Sequence, residues 1–109
     1  MQVLAFHYVM KNFKKDIPLD IVAELANMNP SSFSRYFSNY HKKTFTKFLN
    51  QIRIGYACKL LIENNQNIGS ICYESGFNNI SNFNRIFREI KKMTPSEFLD
   101  LHTLKDSFT

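Results

Sequence analysis

A nine-residue segment of this 109-residue chain recurs about fifty residues later with the same order of polar, aromatic and basic positions. Residues 29–37 are NPSSFSRYF and residues 79–87 are NISNFNRIF. A second pair follows each copy at the same distance, TFTKFL at 44–49 and TPSEFL at 94–99. Because a solenoid needs at least about three repeats, two copies indicate a duplicated unit. The chain is therefore expected to fold with two similar halves.

The spacing of apolar residues predicts an all-α chain. Gly and Pro are rare, three of each, and apolar side chains recur every three to four residues almost throughout. Capping and breaking residues divide this pattern into seven helices. We expect them at roughly 3–14, 19–27, 30–40, 45–63 and 68–77, then from a cap at Asn78 or Asn79 to about 91, and finally from Thr94 onward. Each repeat then forms a helix-turn-helix, and the fourth helix joins the two.

The apolar periodicity also predicts which residues face the core. In the first helix we expect Leu4, Tyr8 and either Val3 or Val9 to be buried. In the third, a stripe of aromatic residues at i, i+3, i+4 and i+7 is expected to be buried: Phe33, Tyr36, Phe37 and Tyr40. The sixth helix repeats the stripe with Phe83, Ile86, Phe87 and Ile90.

Composition limits the class of function. The net charge of +5 and pI near 9.3 favour an anionic partner, although charge alone does not distinguish nucleic acid from an acidic membrane or from simple solubility. Cys58 and Cys72 lack metal-ligand spacing and are expected to be buried thiols in a reducing compartment. With no signal peptide and no long apolar run, we expect a soluble, cytoplasmic protein without membrane association. No paired carboxylates, activated nucleophile, phosphate loop or metal motif stands out, so neither an enzyme nor a cofactor is predicted.

The outer faces of the third and sixth helices carry the candidate chemistry. In the third helix, Ser31, Ser34 and Ser38 surround Arg35. In the sixth, Ser81 and Asn84 lie beside Arg85, and Arg88 is presented on the same face. Such a surface lets a helix approach the major groove closely and places a guanidinium against a base edge. The lysine pairs Lys42-Lys43 and Lys91-Lys92 follow the two helices where a DNA backbone could run, although lysines at a helix end also interact with the helix dipole.

At these residues the chain resembles the DNA-binding domain of AraC/XylS-type transcriptional regulators, from about Leu4 to Leu101. The strongest motif is Ile68-x-x-Ile71-Cys72-x-x-x-Gly76-Phe77, continued by Phe83-x-Arg85-x-Phe87 and Thr94-Pro95. The first half matches through Leu19-x-x-Val22-Ala23, Phe33-Ser34-Arg35-x-Phe37 and Arg53-x-x-x-Ala57-x-x-Leu60-Leu61. The resemblance implies two helix-turn-helix subdomains, residues 1–43 and 64–109, joined by a linker helix at 44–63.

The resemblance also implies a mode of DNA binding. Helices three and six would enter adjacent major-groove segments about one turn, roughly 34 Å, apart. Carried over by position, base contacts would come from Ser31, Ser34 and Arg35 and from Ile80, Ser81, Asn84 and Arg85. The arginines would favour guanine, Asn84 could pair with adenine, and Ile80 could touch a thymine methyl. Lys42, Lys43, Lys91 and Lys92 would contact phosphate.

Further expectations concern the whole regulator and its alternatives. The family usually has Gly where Lys42 and Lys92 stand, so the chain must either turn differently there or place lysine in a left-handed conformation. Family members usually carry an effector-binding or dimerisation domain before this one, which we expect to be missing here, and an activator of this kind would contact RNA polymerase. The alternative is a basic helical protein-interaction module that binds an acidic protein partner.

Overall fold

The computed structural model describes residues 2–63 and 67–107, with side chains described as far as residue 102. Within these residues it contains seven helices and no strands, which confirms the predicted all-α class. The helices are α1 (Val3–Asn12), α2 (Leu19–Leu25), α3 (Pro30–His41), α4 (Phe45–Glu63), α5 (Ile68–Glu74), α6 (Ile80–Lys91) and α7 (Pro95–Ser107). The chain divides into two compact units, Met1–Ile52 and Arg53–Thr109, and the division falls inside α4.

The first unit packs α1, α2, α3 and the beginning of α4 around an aromatic core. Phe33 and Phe37 from α3 are fully buried, and their rings lie 5.7 and 5.4 Å from that of Phe45 on α4. The remaining buried members are small or aliphatic: Ala5, Val9, Val22, Ala23, Ala26 and Leu49. The two large rings of α3 therefore fix that helix against the rest of its unit.

The second unit repeats this arrangement with α5, α6 and α7 and the remainder of α4. Phe83 and Phe87 take the places of Phe33 and Phe37, and both are fully buried. The rest of its buried core comprises Ile54, Ala57, Cys58, Leu60, Leu61, Ile71, Cys72, Phe77 and Ile86. Cys58 and Cys72 are free and buried, as predicted, and burial raises the pKa of both thiols.

The core-facing side of α1 was predicted correctly for Val9 and Tyr8 and wrongly for Leu4. Ala5 and Val9 are fully buried, Tyr8 is half-buried, and Leu4 and Val3 are 65% and 73% exposed. In a helix this short, several apolar residues compete for one face, and the smaller pair faces the unit's core. Apolar spacing alone therefore does not determine which side of α1 packs.

The turn of each helix-turn-helix has the same backbone geometry, and the helix before it ends earlier than the sequence predicted. The first helix of each pair ends at Leu25 and Glu74, and a left-handed residue follows, Asn27 with φ of 59° and Gly76 with φ of 101°. The next amide, of Met28 or Phe77, donates to the carbonyl five residues earlier, at 2.9 and 3.1 Å respectively. This is a Schellman-type ending, which glycine and asparagine adopt most easily.

The starts of α4 and α7, the helices that follow α3 and α6, are also duplicated. Thr44 and Thr94 cap α4 and α7, each hydroxyl accepting the amide N–H three residues on at 3.1 Å. In the second copy, Glu97 Oε1 accepts the Thr94 amide at 3.0 Å, which completes the predicted capping box and lowers the pKa of Glu97. In the part of the chain that the structure describes, no helix is long and apolar enough to cross a membrane.

Candidate nucleic-acid interface

Helix α3 is positioned by its cap, its first residue and its two buried rings. Asn29 Oδ1 accepts the Ser32 amide at 2.8 Å, and Pro30 occupies the first helical position, where no amide donor is needed. With Phe33 and Phe37 buried, the opposite side of the helix borders a shallow depression lined by Leu19, Pro30, Ser31, Ser34, Arg35 and Ser38. The three predicted base-contacting residues of this unit, Ser31, Ser34 and Arg35, therefore lie together on one surface.

Helix α6 has the same length as α3, 12 residues, and the same kind of cap, with Asn79 Oδ1 accepting the Asn82 amide at 2.8 Å. All four predicted base-contacting residues of this unit are exposed: Ile80, Ser81, Asn84 and Arg85. Ile80 is 40% exposed, and the equivalent position of the first unit holds the shorter, exposed ring of Pro30.

Arg35 and Arg85, the two arginines predicted to contact bases, differ in their surroundings. Arg85 Nη1 donates to Glu89 Oε1 at 3.0 Å, and Arg85 Nη2 donates to Asn82 Oδ1 at 2.6 Å. The side chain of Arg35 has no hydrogen bond or ion pair to any other described residue. Sequence reasoning missed Glu89 and Asn82, although their i+4 and i−3 spacing from Arg85 is the spacing at which helical side chains meet.

The predicted phosphate-contacting lysines are also placed unequally. Lys42, Lys91 and Lys92 are exposed, whereas Lys43 is half-buried and its Nζ donates to Gln51 Oε1 on α4 at 2.8 Å. Lys42 and Lys92 adopt left-handed backbone conformations, with φ of 59° and 62°, and their amides donate to the Ser38 and Arg88 carbonyls at 2.9 Å. Lysine thus occupies the left-handed cap position at the end of both helices.

The predicted aromatic stripe of α3 is only half buried. Tyr36 and Tyr40 are 38% and 68% exposed, and their rings stack with centroids 5.8 Å apart. The prediction that both are core residues was wrong, because Phe33 and Phe37 alone fill the space against Phe45 and the tyrosines are left at its edge. A pair of exposed phenol rings therefore lies on the same helix as Arg35.

His41 closes α3 with a shielded ring nitrogen. Its ring lies 4.2 Å from Phe37 and 5.0 Å from Tyr40 between centroids, and Nε2 is covered and has no hydrogen-bond partner among the described residues. Burial, together with the positive charge of Lys43, lowers the pKa of His41. Within the described residues, no group of three or more His, Cys, Asp or Glu side chains could hold a metal ion.

Comparison with known proteins identifies relatives of one kind. The model of a family described as a helix-turn-helix domain matches residues 22–100. The bifunctional transcriptional activator and DNA repair enzyme AdaA of Bacillus subtilis is 27% identical over 96% of this chain and 50% of its own length. The regulatory protein PocR of Salmonella typhimurium is 30% identical over 86% of this chain and 31% of its own length. The chain thus spans half or less of the length of these two relatives.

One solved structure shows the same fold. The DNA-binding domain of the global transcriptional factor AdpA, crystallised in complex with a target DNA, superimposes with a TM-score of 0.84. The alignment covers 93% of this chain and 91% of that one, at 16% sequence identity. The fold is therefore shared, while most of the side chains are not.

Proposed function

The chain belongs to the AraC-type helix-turn-helix family of transcriptional regulator DNA-binding domains, and we propose that it recognises a specific double-stranded DNA sequence with α3 and α6. The observation that carries this proposal is the duplication of one geometry. Helices of equal length begin at an asparagine cap, end at a left-handed lysine and expose an arginine at the equivalent position. A face of this kind suits the major groove, where the arginine fork matches guanine O6 and N7.

The residues divide into those that select bases and those that supply affinity. We assign base contacts to Ser31, Ser34 and Arg35 on α3 and to Ile80, Ser81, Asn84 and Arg85 on α6. Phosphate contacts fall to Lys42, Lys43, Lys91 and Lys92, and the net charge of +5 supports a sequence-independent attraction to DNA. Lys43 should contribute less than the other three, since its ammonium group already donates to Gln51.

The proposal extends to the three segments of the chain and to the protein that contains it. Residues 1–43 and 64–109 would each place one helix in a major-groove segment, with 44–63 as the linker and the two segments about one helical turn apart. In the cell the domain would act in the bacterial cytoplasm as the non-catalytic reader of a longer regulator. A separate effector-binding or dimerisation domain would control it, and an activator would also contact RNA polymerase.

Selection of bound sequences from a random double-stranded DNA pool, at two salt concentrations, tests this proposal. Two short boxes about one helical turn apart would support reading by both units. A single box would mean that one helix reads and the other only anchors. No enrichment at either salt concentration would contradict sequence-specific binding and favour the alternative of a basic module that binds an acidic protein.

Variants then assign the contacts. Arg35→Ala and Arg85→Ala should each cost about 1–3 kcal/mol on the selected site and relax base preference at one position. Lys42→Ala should instead weaken binding to all sequences alike and lower the slope of log affinity against log salt by about one. Lys59→Ala, which removes an exposed lysine to which we assign no contact, is the matched control. If both arginine variants bind with unchanged base preference, the assignment of these helices is wrong.

A further inference from the structure

The Arg85 side chain donates hydrogen bonds to residues on both sides of it along α6. Glu89 Oε1, one turn toward the C-terminus, accepts from Nη1 at 3.0 Å, and Asn82 Oδ1, on the N-terminal side, accepts from Nη2 at 2.6 Å. Each acceptor uses one N–H, so three of the five guanidinium donors are left for another partner. The guanidinium is thus oriented and keeps donors for a further hydrogen bond.

The first unit has the equivalent arginine without this arrangement. The positions that correspond to Asn82 and Glu89 in the repeat hold Ser32 and Asn39. A serine is too short to reach the guanidinium in the same way, and asparagine brings no charge. The guanidinium of Arg35 accordingly makes no hydrogen bond or ion pair with the residues described, and this side chain must be ordered when it meets a partner.

Glu89 is not explained by the stability of α6. It lies in the last turn of the helix, where the dipole disfavours an acidic side chain. Its order relative to Arg85 is also the less favourable one, because helical ion pairs are stronger when the acid precedes the base. Both side chains of the pair are 62% exposed, and pairs this exposed contribute little to folding. The contribution of Glu89 should therefore be sought in what it does to Arg85.

We propose that Glu89 and Asn82 are positioning residues that preorganise Arg85 for one base pair, so that the second unit discriminates at its arginine position more sharply than the first. This inference rests on the proposed function. A side chain ordered before binding does not lose its rotamer entropy in the complex, which increases the gain from a correctly placed guanine. The carboxylate of Glu89 also repels phosphates, which lowers the affinity for all DNA alike and leaves the ratio between sequences to the orientation of Arg85.

Binding measurements with Glu89→Ala and Glu89→Gln test the inference. The base pair to be monitored is the one whose preference Arg85→Ala abolishes. At that position Glu89→Ala should reduce the ratio of affinities for the preferred and the other bases by about 2- to 10-fold. Affinity for unrelated DNA should rise at the same time, because a negative charge has been removed. Glu89→Gln should retain part of the discrimination through its amide oxygen and show the same rise.

The repeat supplies a gain-of-function test and a matched control. Ser32→Asn combined with Asn39→Glu transfers both acceptors to Arg35, and it should raise discrimination at the first unit's arginine position by about 2- to 10-fold. Asn39→Ala should leave discrimination unchanged. Thermal unfolding of every variant separates an effect on folding from an effect on base selection.

The outcomes separate this inference from the function on which it rests. If the wild-type chain selects no sequence, sequence-specific binding fails and this inference fails with it. If the wild type and Arg85→Ala behave as expected while Glu89→Ala discriminates as the wild type does, the positioning role is wrong and the DNA-binding function stands. The role of Glu89 would also be overturned if discrimination rose in the variant with Ser32→Asn and Asn39→Glu but did not fall in Glu89→Ala.

Discussion

Replacing the two left-handed lysines with glycine should stabilise the fold. Lys42 and Lys92 have φ of 59° and 62°, a region in which the Cβ of an L-residue crowds the next carbonyl oxygen at a cost of about 1–2 kcal/mol. Glycine avoids that cost but loses about 0.5–1 kcal/mol more backbone entropy on folding. The expected gain in the free energy of unfolding is therefore about 0.5–1 kcal/mol per site.

The two gains should add in the double variant. Lys42 and Lys92 lie in separate compact units, and their amides donate to different carbonyls, of Ser38 and Arg88. A total of about 1–2 kcal/mol corresponds to a rise in Tm of about 4–8 °C for a domain of this size. Urea unfolding followed by helical circular dichroism, together with thermal scans, measures both quantities.

Alanine at the same positions is the control. Lys42→Ala and Lys92→Ala remove the charge but keep the Cβ, so they should give no comparable gain. If alanine stabilises as much as glycine, charge repulsion and not backbone strain is responsible. If glycine gives no gain at either site, the argument from the left-handed conformation is refuted.

The same substitutions should weaken DNA binding while they stabilise the protein. Each removes an ammonium group that we assign to a phosphate, so the slope of log affinity against log salt should fall by about one per site. A double variant that is more stable and binds DNA as well as the wild type would remove both lysines from the set of phosphate contacts.

Four further substitutions test the fold. Ser75→Ala should raise the free energy of unfolding by about 1 kcal/mol, because the Ser75 hydroxyl is fully buried with no hydrogen-bond partner in the described part of the chain, and the first unit has Ala26 at the equivalent position. A lower urea midpoint would contradict this. Gly55→Ala should stabilise α4 by about 0.5–1 kcal/mol, because an added Cβ meets no atom within 4 Å. Gly76→Ala should instead destabilise the protein, because φ at this position is 101°. Thermal scans in which Gly76→Ala has the higher Tm of the two would refute the reasoning. Folding lowers the pKa of His41, so the stability that its neutral ring contributes is complete above the ordinary pKa of 6.5 and is lost as pH falls below it. The decline in the free energy of unfolding from about pH 8 to about pH 5 should therefore be smaller in His41→Gln than in the wild type. An equal decline in both proteins would assign the pH dependence to other groups.

Local chemistry made much of this fold and site predictable. The caps Asn29 and Asn79, the capping box of Thr94 with Glu97, and the buried rings at i and i+4 all depend on neighbours within one turn of helix. The pairing of Arg85 with Glu89 is equally local and could have been found from its spacing, although its distances could not. The choice left open at Lys42 and Lys92, a different turn or a left-handed lysine, is resolved by the φ angles.

The sequence by itself therefore determined the number and type of the helices, their starts and their duplication, because hydrogen-bonding caps and apolar spacing act over only a few residues. Only the tertiary structure decided which apolar side chains besides the buried rings at i and i+4 are covered. Leu4 is exposed while Ala5 is buried, and Tyr36 and Tyr40 are left outside a core that Phe33 and Phe37 already fill. Burial depends on which elements of the same unit pack over a residue, and that information is distributed across α1, α2, α3 and α4 and is not contained in any one helix.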